Sequence, residues 1–379
     1  MSGLLLKGFE VELFTGRSTG ENVGVATDVA RDIPGFVTEP DCRNLEYTTA
    51  PLALYGDLDE ALLMPRRQLR QWLSPRGLTL LPGSTLSLGD SDHFERSDPE
   101  NPYHSLIEST YGTRVVTASI HINLGITDPE LLFAAVRLVR CEASLLLALS
   151  ASSPFLGGRN TGRHSQRWHQ FPLTPQRVPL FRDHGDYIDW VKQQLVSGAM
   201  RNERHLWTSV RPNGPERPYS LNRLELRICD LVTNPAELIA ITALLELRIL
   251  MLMEQPLQLD PLQVSSLSPD ELVDLADAND AAVAVTSLDA NVHHWRDGSR
   301  LLCRDWIEQL IEAVTPLADQ HGLSERLKPL VTLLENGNQA MRWVQAHSQG
   351  ASISELLGDG ALLMEEDEQV TRSRSAVLG

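Results

Sequence analysis

The sequence predicts an α+β fold, and three observations carry that prediction. Short runs with period-two alternation of apolar and polar residues concentrate in residues 1–255. Beyond that point helical spacing dominates. Strands and helices do not alternate one for one, as the repeating units of a doubly wound sheet would require.

Taken in order, residues 4–14, 44–49, 115–126, 206–211 and 223–232 read as strands. Asp128-Pro129-Glu130 opens a long helix, with Asp as the N-cap and Pro at the first helical position. Asn234-Pro235-Ala236-Glu237 repeats that logic, and Glu237 is placed to complete a capping box. Ile188, Val191 and Leu195 have helical spacing within 186–197. Later, Ser268-Pro269-Asp270-Glu271 starts a helix; Trp306, Leu310, Ile311, Val314 and Leu317 mark a second, and 327–334 a third. Residues 359–379 turn acidic and then rich in Ser and Arg, and are predicted to be a disordered tail. The expected organisation is a catalytic region over 1–255 with a helical region, 256–358, packed on the same domain. No repeat of fixed period is present.

Composition narrows the class. The chain has 379 residues, 42% hydrophobic and 22% charged, as an ordinary globular protein does. Four widely spaced cysteines, Cys42, Cys141, Cys229 and Cys303, argue against a disulfide framework or a thiolate zinc site and point to a reducing compartment, the cytoplasm. The N-terminus lacks the basic start and long apolar core of a signal peptide. The most apolar stretch, 238–253, is broken by Glu246 and Arg248 and falls short of a membrane span. A net charge of -17 opposes binding to nucleic acid or an anionic membrane.

The chemistry lies on the polar faces of four strand-like runs. In Phe9-Glu10-Val11-Glu12-Leu13 the two glutamates share a face, and in Leu45-Glu46-Tyr47 Glu46 opposes the apolar pair. In 118–126, Ser119, His121 and Asn123 share a face; in 223–228, Arg223, Glu225 and Arg227 do. Each pattern alone also fits a solvated strand face, a structural histidine or a surface charge ladder. Together, in one sheet, they would form a cup of four carboxylates, one imidazole and two guanidiniums. Four carboxylates without a counter-ion repel one another, so divalent ions bridging nucleotide phosphates are the economical explanation, with arginine offering planar contacts to phosphate oxygens. The adjacent His293-His294 diverge on any regular element and are discounted as a metal pair. Trp168, Trp190 and Trp207 read as core. No P-loop, dinucleotide fingerprint, H-E-x-x-H or G-x-S-x-G is present. Gly157-Gly158-Arg159-Asn160-Thr161-Gly162 fits a turn as well as a ligand loop.

These residues resemble the glutamate–cysteine ligase family, in particular its cyanobacterial type, and related carboxylate–amine ligases. Gly8-Phe9-Glu10-Val11-Glu12 is similar to the family's opening E-x-E strand, Arg43-Asn44-Leu45-Glu46-Tyr47 to its second acidic strand, and Ile120-His121-Ile122-Asn123 to its histidine strand. Ser150-Ala151-Ser152-Ser153-Pro154 with Thr161-Gly162 and Arg167 resembles its substrate-side loop, and Arg211-Pro212 with Arg223-Leu224-Glu225-Leu226-Arg227-Ile228-Cys229-Asp230 its closing elements. The likeness runs over about residues 6–255. It implies a glutamine-synthetase-like fold, an antiparallel sheet cupping ATP and magnesium. Carried over, Glu10, Glu12, Glu46, His121 and Glu225 become metal-site residues. Glu225 and Arg227 become catalytic, Arg227 and Arg211 phosphate contacts, and Arg167 and Asn123 substrate contacts. Asn123 stands where many relatives have a second histidine, and Arg163 where they often have tyrosine. The implied activity is ATP-dependent formation of γ-glutamylcysteine from glutamate and cysteine, the first step of glutathione biosynthesis. A ligase of the same fold using another amine, and a non-catalytic nucleotide or metabolite sensor, are the alternatives.

Overall fold

The computed structural model describes residues 3–377. Alternating apolar residues draw the first half of the chain into one antiparallel sheet laid on helices. Its strands are β1 (Lys7–Gly16), β2 (Phe36–Thr38), β3 (Asn44–Thr48), β4 (Thr79–Leu81) and β5 (Ile120–Gly125). A two-strand hairpin, β6 (Phe155–Leu156) and β7 (Arg159–Asn160), follows apart from the sheet, and β8 (Val210–Asn213) and β9 (Arg223–Leu226) complete it. The order is β2-β3-β1-β5-β9-β8, with β4 also paired to β1. The long β1 is shared along its length: residues 7–11 pair with β5, 10–14 with β3 and 14–16 with β4. Gly157 and Gly158 both have positive φ at the tip of the hairpin, so that glycine-rich segment is a turn.

The helices of this half are α1 (Ala26–Asp32), α2 (Tyr55–Leu73), α3 (Pro102–Tyr111), α4 (Pro129–Ser150), α5 (Gln166–Gln170), α6 (His184–Ser197) and α7 (Pro235–Glu254). Asp128 caps α4 by accepting from the Leu131 amide at 3.0 Å. Asn234 caps α7 through the amides of Ala236 and Glu237. The expected capping box at Glu237 does not close, because that side chain turns towards Arg342, 3.8 Å away. Helix α2 was not legible, since Gly56 and Pro65 interrupt its pattern.

Helices α4 and α7 cover the sheet's apolar face, where Phe9, Val11, Leu13, Ile120, Ile122, Leu224 and Leu226 are buried. The rest of the chain continues as α8 (Pro256–Leu259), α9 (Pro261–Val264), α10 (Pro269–Thr286), a small hairpin β10 (Asn291–His293) and β11 (Arg300–Leu302), α11 (Cys303–His321), α12 (Ser324–Asn336), α13 (Gln339–Ser348) and α14 (Ile353–Val377). Helix α10 lies on α4, and α11 and α12 lie on α7. His294 stacks on Trp306 while His293 faces solvent, so the two imidazoles do not converge. Among the described residues no helix is long and apolar enough to cross a membrane, and the four cysteines are unpaired.

Residues 359–379 were expected to be a disordered tail; within the described residues α14 continues to Val377, and 378–379 lie outside them. Leu357, Ala361 and Met364 are buried on one face of it, and the buried Glu368 takes two hydrogen bonds from Arg70, at 2.6 and 3.1 Å. Acidic composition concealed an apolar stripe of helical period.

The charges that interrupt 238–253 are answered inside the helical layer. Glu246 accepts from Tyr55 Oη (2.6 Å) and pairs with Lys7 Nζ (3.1 Å). Arg248 forms a two-pronged contact with Glu142, which also accepts from Trp295 Nε1. Removing one partner strands the other charge in low dielectric. Arg248→Met should therefore cost about 3–5 kcal/mol, read by chemical denaturation; a loss within the scatter of surface substitutions would show that water reaches Glu142.

Candidate functional site

Strand register builds the site before any side chain is considered. Antiparallel pairing sets Glu12 opposite Glu46, Glu10 opposite His121, and Asn123 opposite Glu225. Like charges directly opposite are unfavourable, so the sheet brings these acids together against their repulsion.

The inner group is held by cations and hydrogen bonds. His121 Nδ1 lies 2.9 Å from Glu10 Oε2 and 3.7 Å from Glu225 Oε1. Glu225 is fully buried on β9. It takes a forked pair of hydrogen bonds from Arg211 (2.7 and 3.0 Å), one from Asn213 (2.5 Å) and one from Arg227 (2.5 Å). Burial opposes ionisation there, but Arg211, Arg227 and His121 outweigh it and hold the carboxyl well below its ordinary range. At Glu10 burial likewise pushes upward, and the hydrogen bond from His121 with the nearby Arg227 brings the net shift down.

The outer group has much less support. Glu12, Glu39 and Glu46 each bring a carboxylate oxygen within 4.8 Å of the others, as Glu10, His121 and Glu225 do in the inner group. Ser119 donates to Glu12 at 2.8 Å. Burial, then Glu12 and Glu10, push Glu46 up to about 8, and burial with Glu12 and Glu46 drives Glu39 well above the usual carboxylate range. Two oxygen-rich groups of three, one uncompensated, fit hard divalent cations. Glu39 was missed in the sequence because it stands on the loop after β2, outside any alternating run; only the E-P dipeptide marks a turn there.

Glu10, Glu12, Glu39, Glu46, His121 and Arg227 line a cavity of about 590 Å³ whose wall also includes Phe171, Trp207 and Tyr103, while Glu225 is buried behind it. Trp207, read as core, is half-buried on that wall and packs against Tyr111 and Phe171. A second cavity of about 530 Å³ meets Glu10 from the other side and is lined by Thr48, Asn123, Asn222 and Arg223.

Three expected contacts are placed otherwise. Arg211 directs its guanidinium to Glu225 and the carbonyls of Arg204 and Leu206, so it backs Glu225 and is not among the residues lining the cavity. Arg167 lies in the cavity wall, but its two Nη atoms donate to the carbonyls of Ile228 and Arg227. Asn123 holds Glu10 through Nδ2 (3.2 Å) and accepts from Arg223 (3.1 Å), and so orients a carboxylate. In each case burial drew the polar group to a protein partner, which spacing does not reveal.

The sequence matches the glutamate–cysteine ligase family 2 over residues 6–359. The chain belongs to that family. A protein of Leifsonia xyli provisionally named glutamate–cysteine ligase 2 is 27% identical over 373 residues, covering 92% of each chain. Among solved structures, the glutamate–cysteine ligase of Francisella tularensis in complex with AMP superposes with a TM-score of 0.76 at 12% identity, covering 98% of this chain and 90% of that one. The bifunctional glutathione synthetase of Pasteurella multocida does so with a TM-score of 0.71 at 18% identity, covering 96% of this chain. This chain spans about half the length of that protein, 52%. The fold is thus that of these ligases, the α+β class the alternation predicted, and family membership makes the protein an ATP-dependent ligase.

The outer acids give a pH-dependent expectation. The carboxyl of Glu46, raised from 4.5 to about 8, keeps its proton at neutral pH. Its contribution to the stability of the free protein is fully present below 4.5 and is lost as pH rises through about 8. A divalent cation needs the ionised form, so binding expels protons and tightens with rising pH. Magnesium should raise the thermal midpoint more above pH 8 than at pH 6, and calorimetry in buffers of different ionisation enthalpy should detect proton release. Binding independent of pH would place the ion elsewhere.

Proposed function

We propose that the protein joins the γ-carboxylate of glutamate to the amine of cysteine at the expense of ATP. The observation that carries this reading is the convergence of Glu10, Glu12, Glu39, Glu46, His121 and Arg227 on one cavity, with the buried Glu225 behind them in reach of His121 and Arg227, so that two three-ligand groups form. Glu10, His121 and Glu225, and separately Glu12, Glu39 and Glu46, would hold magnesium ions. Those ions supply charge neutralisation for the nucleotide phosphates.

In the proposed reaction a γ-carboxylate oxygen attacks the terminal phosphorus of ATP. The bond from that phosphorus to ADP breaks, leaving γ-glutamyl phosphate. The cysteine nitrogen then attacks the acyl carbon, the carbon–oxygen bond to phosphate breaks, and the amine gives up a proton. The chain's part is positioning and electrostatic stabilisation. Arg227, fixed by Glu225, presents a guanidinium to the transferring phosphoryl group. Glu225, held by Arg211 and Asn213, fixes the edge of the site. Aromatic Phe171 and Trp207 screen the far wall from water. No nucleophilic side chain is needed, and the buried thiols of Cys141, Cys229 and Cys303 are pushed far up by burial. The net charge of -17 and unpaired cysteines support a cytoplasmic protein that binds no nucleic acid and supplies γ-glutamylcysteine for glutathione synthesis.

Release of ADP with magnesium, ATP and glutamate, comparing cysteine with other amines, tests the reading. Turnover preferring another amine would move the protein to a neighbouring ligase, and ATP binding without turnover would favour a sensor. Glu225→Gln strands Arg211 and so confounds stability with activity. Glu46→Gln, whose carboxylate has no arginine partner, is the cleaner variant. It should show a thermal transition no lower than the wild-type's in the absence of magnesium, since the buried acid's ionisation penalty is removed, and lose about 10²–10³-fold in kcat; near-normal kcat would remove Glu46 from the site.

A further inference from the structure

Strand β9 changes register beside the cavity. Its pairing with β5 runs Leu124 to Leu224, Asn123 to Glu225 and Ile122 to Leu226. Continued unbroken, it would set Ser119 opposite Cys229, yet Ser119 pairs with Asp230. The amides of Arg227 (2.7 Å) and Ile228 (3.2 Å) both donate to the single carbonyl of Ser209. One residue is therefore inserted between Leu226 and Asp230, a β-bulge. The insertion has a consequence for direction. Strict alternation would turn Arg227 and Asp230 to opposite faces of the sheet, whereas the extra residue lets both lie on the polar side.

The carbonyls of the bulge are taken by one side chain. Arg167 donates from Nη1 to Ile228 O (3.0 Å) and from Nη2 to Arg227 O (3.1 Å), and is 2% exposed. Arg167 is itself tied down. Its amide donates to Ser153 Oγ (3.1 Å), and Ser153 Oγ donates to Asp230 Oδ2 (2.6 Å). Asp230, fully buried, also accepts from the Ser152 amide (3.0 Å) and from Ser165 Oγ (2.8 Å). The chain of contacts closes on itself, from Asp230 through Ser153 and Arg167 back to the peptides three and two residues before Asp230. Arg227, the residue inside this ring, is the one whose guanidinium reaches Glu225 at 2.5 Å and His121 at 3.4 Å.

We propose that Arg167 and Asp230 form a bracket that locks the bulge and so aims Arg227 into the cavity; both are positioning residues that act through Arg227. The effect on turnover rests on the ligase reading above, while the effect on Arg227 itself does not. A guanidinium displaced by an ångström costs about 10²-fold in rate when it must meet a developing charge.

The test uses the full chain with Arg167→Met, with Arg167→Lys as a second variant should the first fail to fold. The Nε–H signal of Arg227 in a ¹⁵N spectrum is identified by its loss in Arg227→Lys. It should shift or broaden in a folded Arg167 variant. In turnover, Arg167→Met should lower kcat by about 10²-fold with the KM for glutamate little changed. In an Arg227→Lys background it should add less than about a twofold further loss, because the two act as one unit. An unmoved Arg227 signal, losses that multiply in the double variant, or a raised KM for glutamate at retained kcat would overturn the proposal, the last by making Arg167 a direct substrate contact. If the wild-type protein turns over no amine, the ligase reading falls and the Arg227 signal still decides the bracket.

Discussion

Four carboxylates on one face of one sheet, joined by Glu39 from the loop after β2, repel one another, and the rest of the architecture is arranged around that repulsion. Register puts Glu12 beside Glu46 and Glu10 beside His121, so the acids cannot separate without breaking the ladder. The protein answers half of the problem from its own resources. Arg211, Arg227 and Asn213 enclose Glu225, and His121 with Asn123 holds Glu10. The other half, Glu12, Glu39 and Glu46, is left short of positive charge, which is the physical reason cations are proposed there.

Holding unfavourable charges together requires a stiff support, and the opposite face of the sheet supplies one. The apolar sides of β1, β5 and β9 rest on α4 and α7, and ion pairs tie α4 to α7, to the junction of α8 and α9, and to α10. Arg248 meets Glu142, Arg137 meets Asp260, and Arg140 meets Asp277 and Asp280. Such pairs contribute little net stability compared with apolar replacements, but each penalises any packing that separates its partners. Lys7 extends the same constraint from the sheet itself to Glu246 in α7. The C-terminal helices join this support, since α10 lies on α4 and α11 and α12 lie on α7.

Local departures from regular structure gather at the edge of the cavity. β9 carries Glu225 in regular pairing and then, within two residues, bulges at Arg227 and Ile228. Regular pairing suits a group that must be buried and immobile. The bulge suits a group that must leave the plane of alternation and reach outward. The buried Asp230 shows how such an irregularity is stabilised: serine hydroxyls and a backbone amide satisfy it, so the polar interior of the turn has partners.

The sequence by itself determined the alternating strands, their polar faces and the caps at Asp128 and Asn234, because those depend on periods of a few residues and on local hydrogen bonds. It therefore determined that Glu10, Glu12, Glu46, His121, Glu225 and Arg227 would share a surface if the strands paired. Tertiary structure alone decided the remainder. Glu39 joins the acids from a loop with no periodicity, and Trp207 turns to the cavity wall. Arg211 and Arg167, both legible as free cations, are drawn by burial to a carboxylate and to carbonyls. The stripe of α14 emerges beneath an acidic composition because Arg70 and the neighbouring packing give it a surface to lie on. Period and propensity are properties of neighbours along the chain, whereas the partner a buried charge finds is set by what the fold brings within about 3 Å of it.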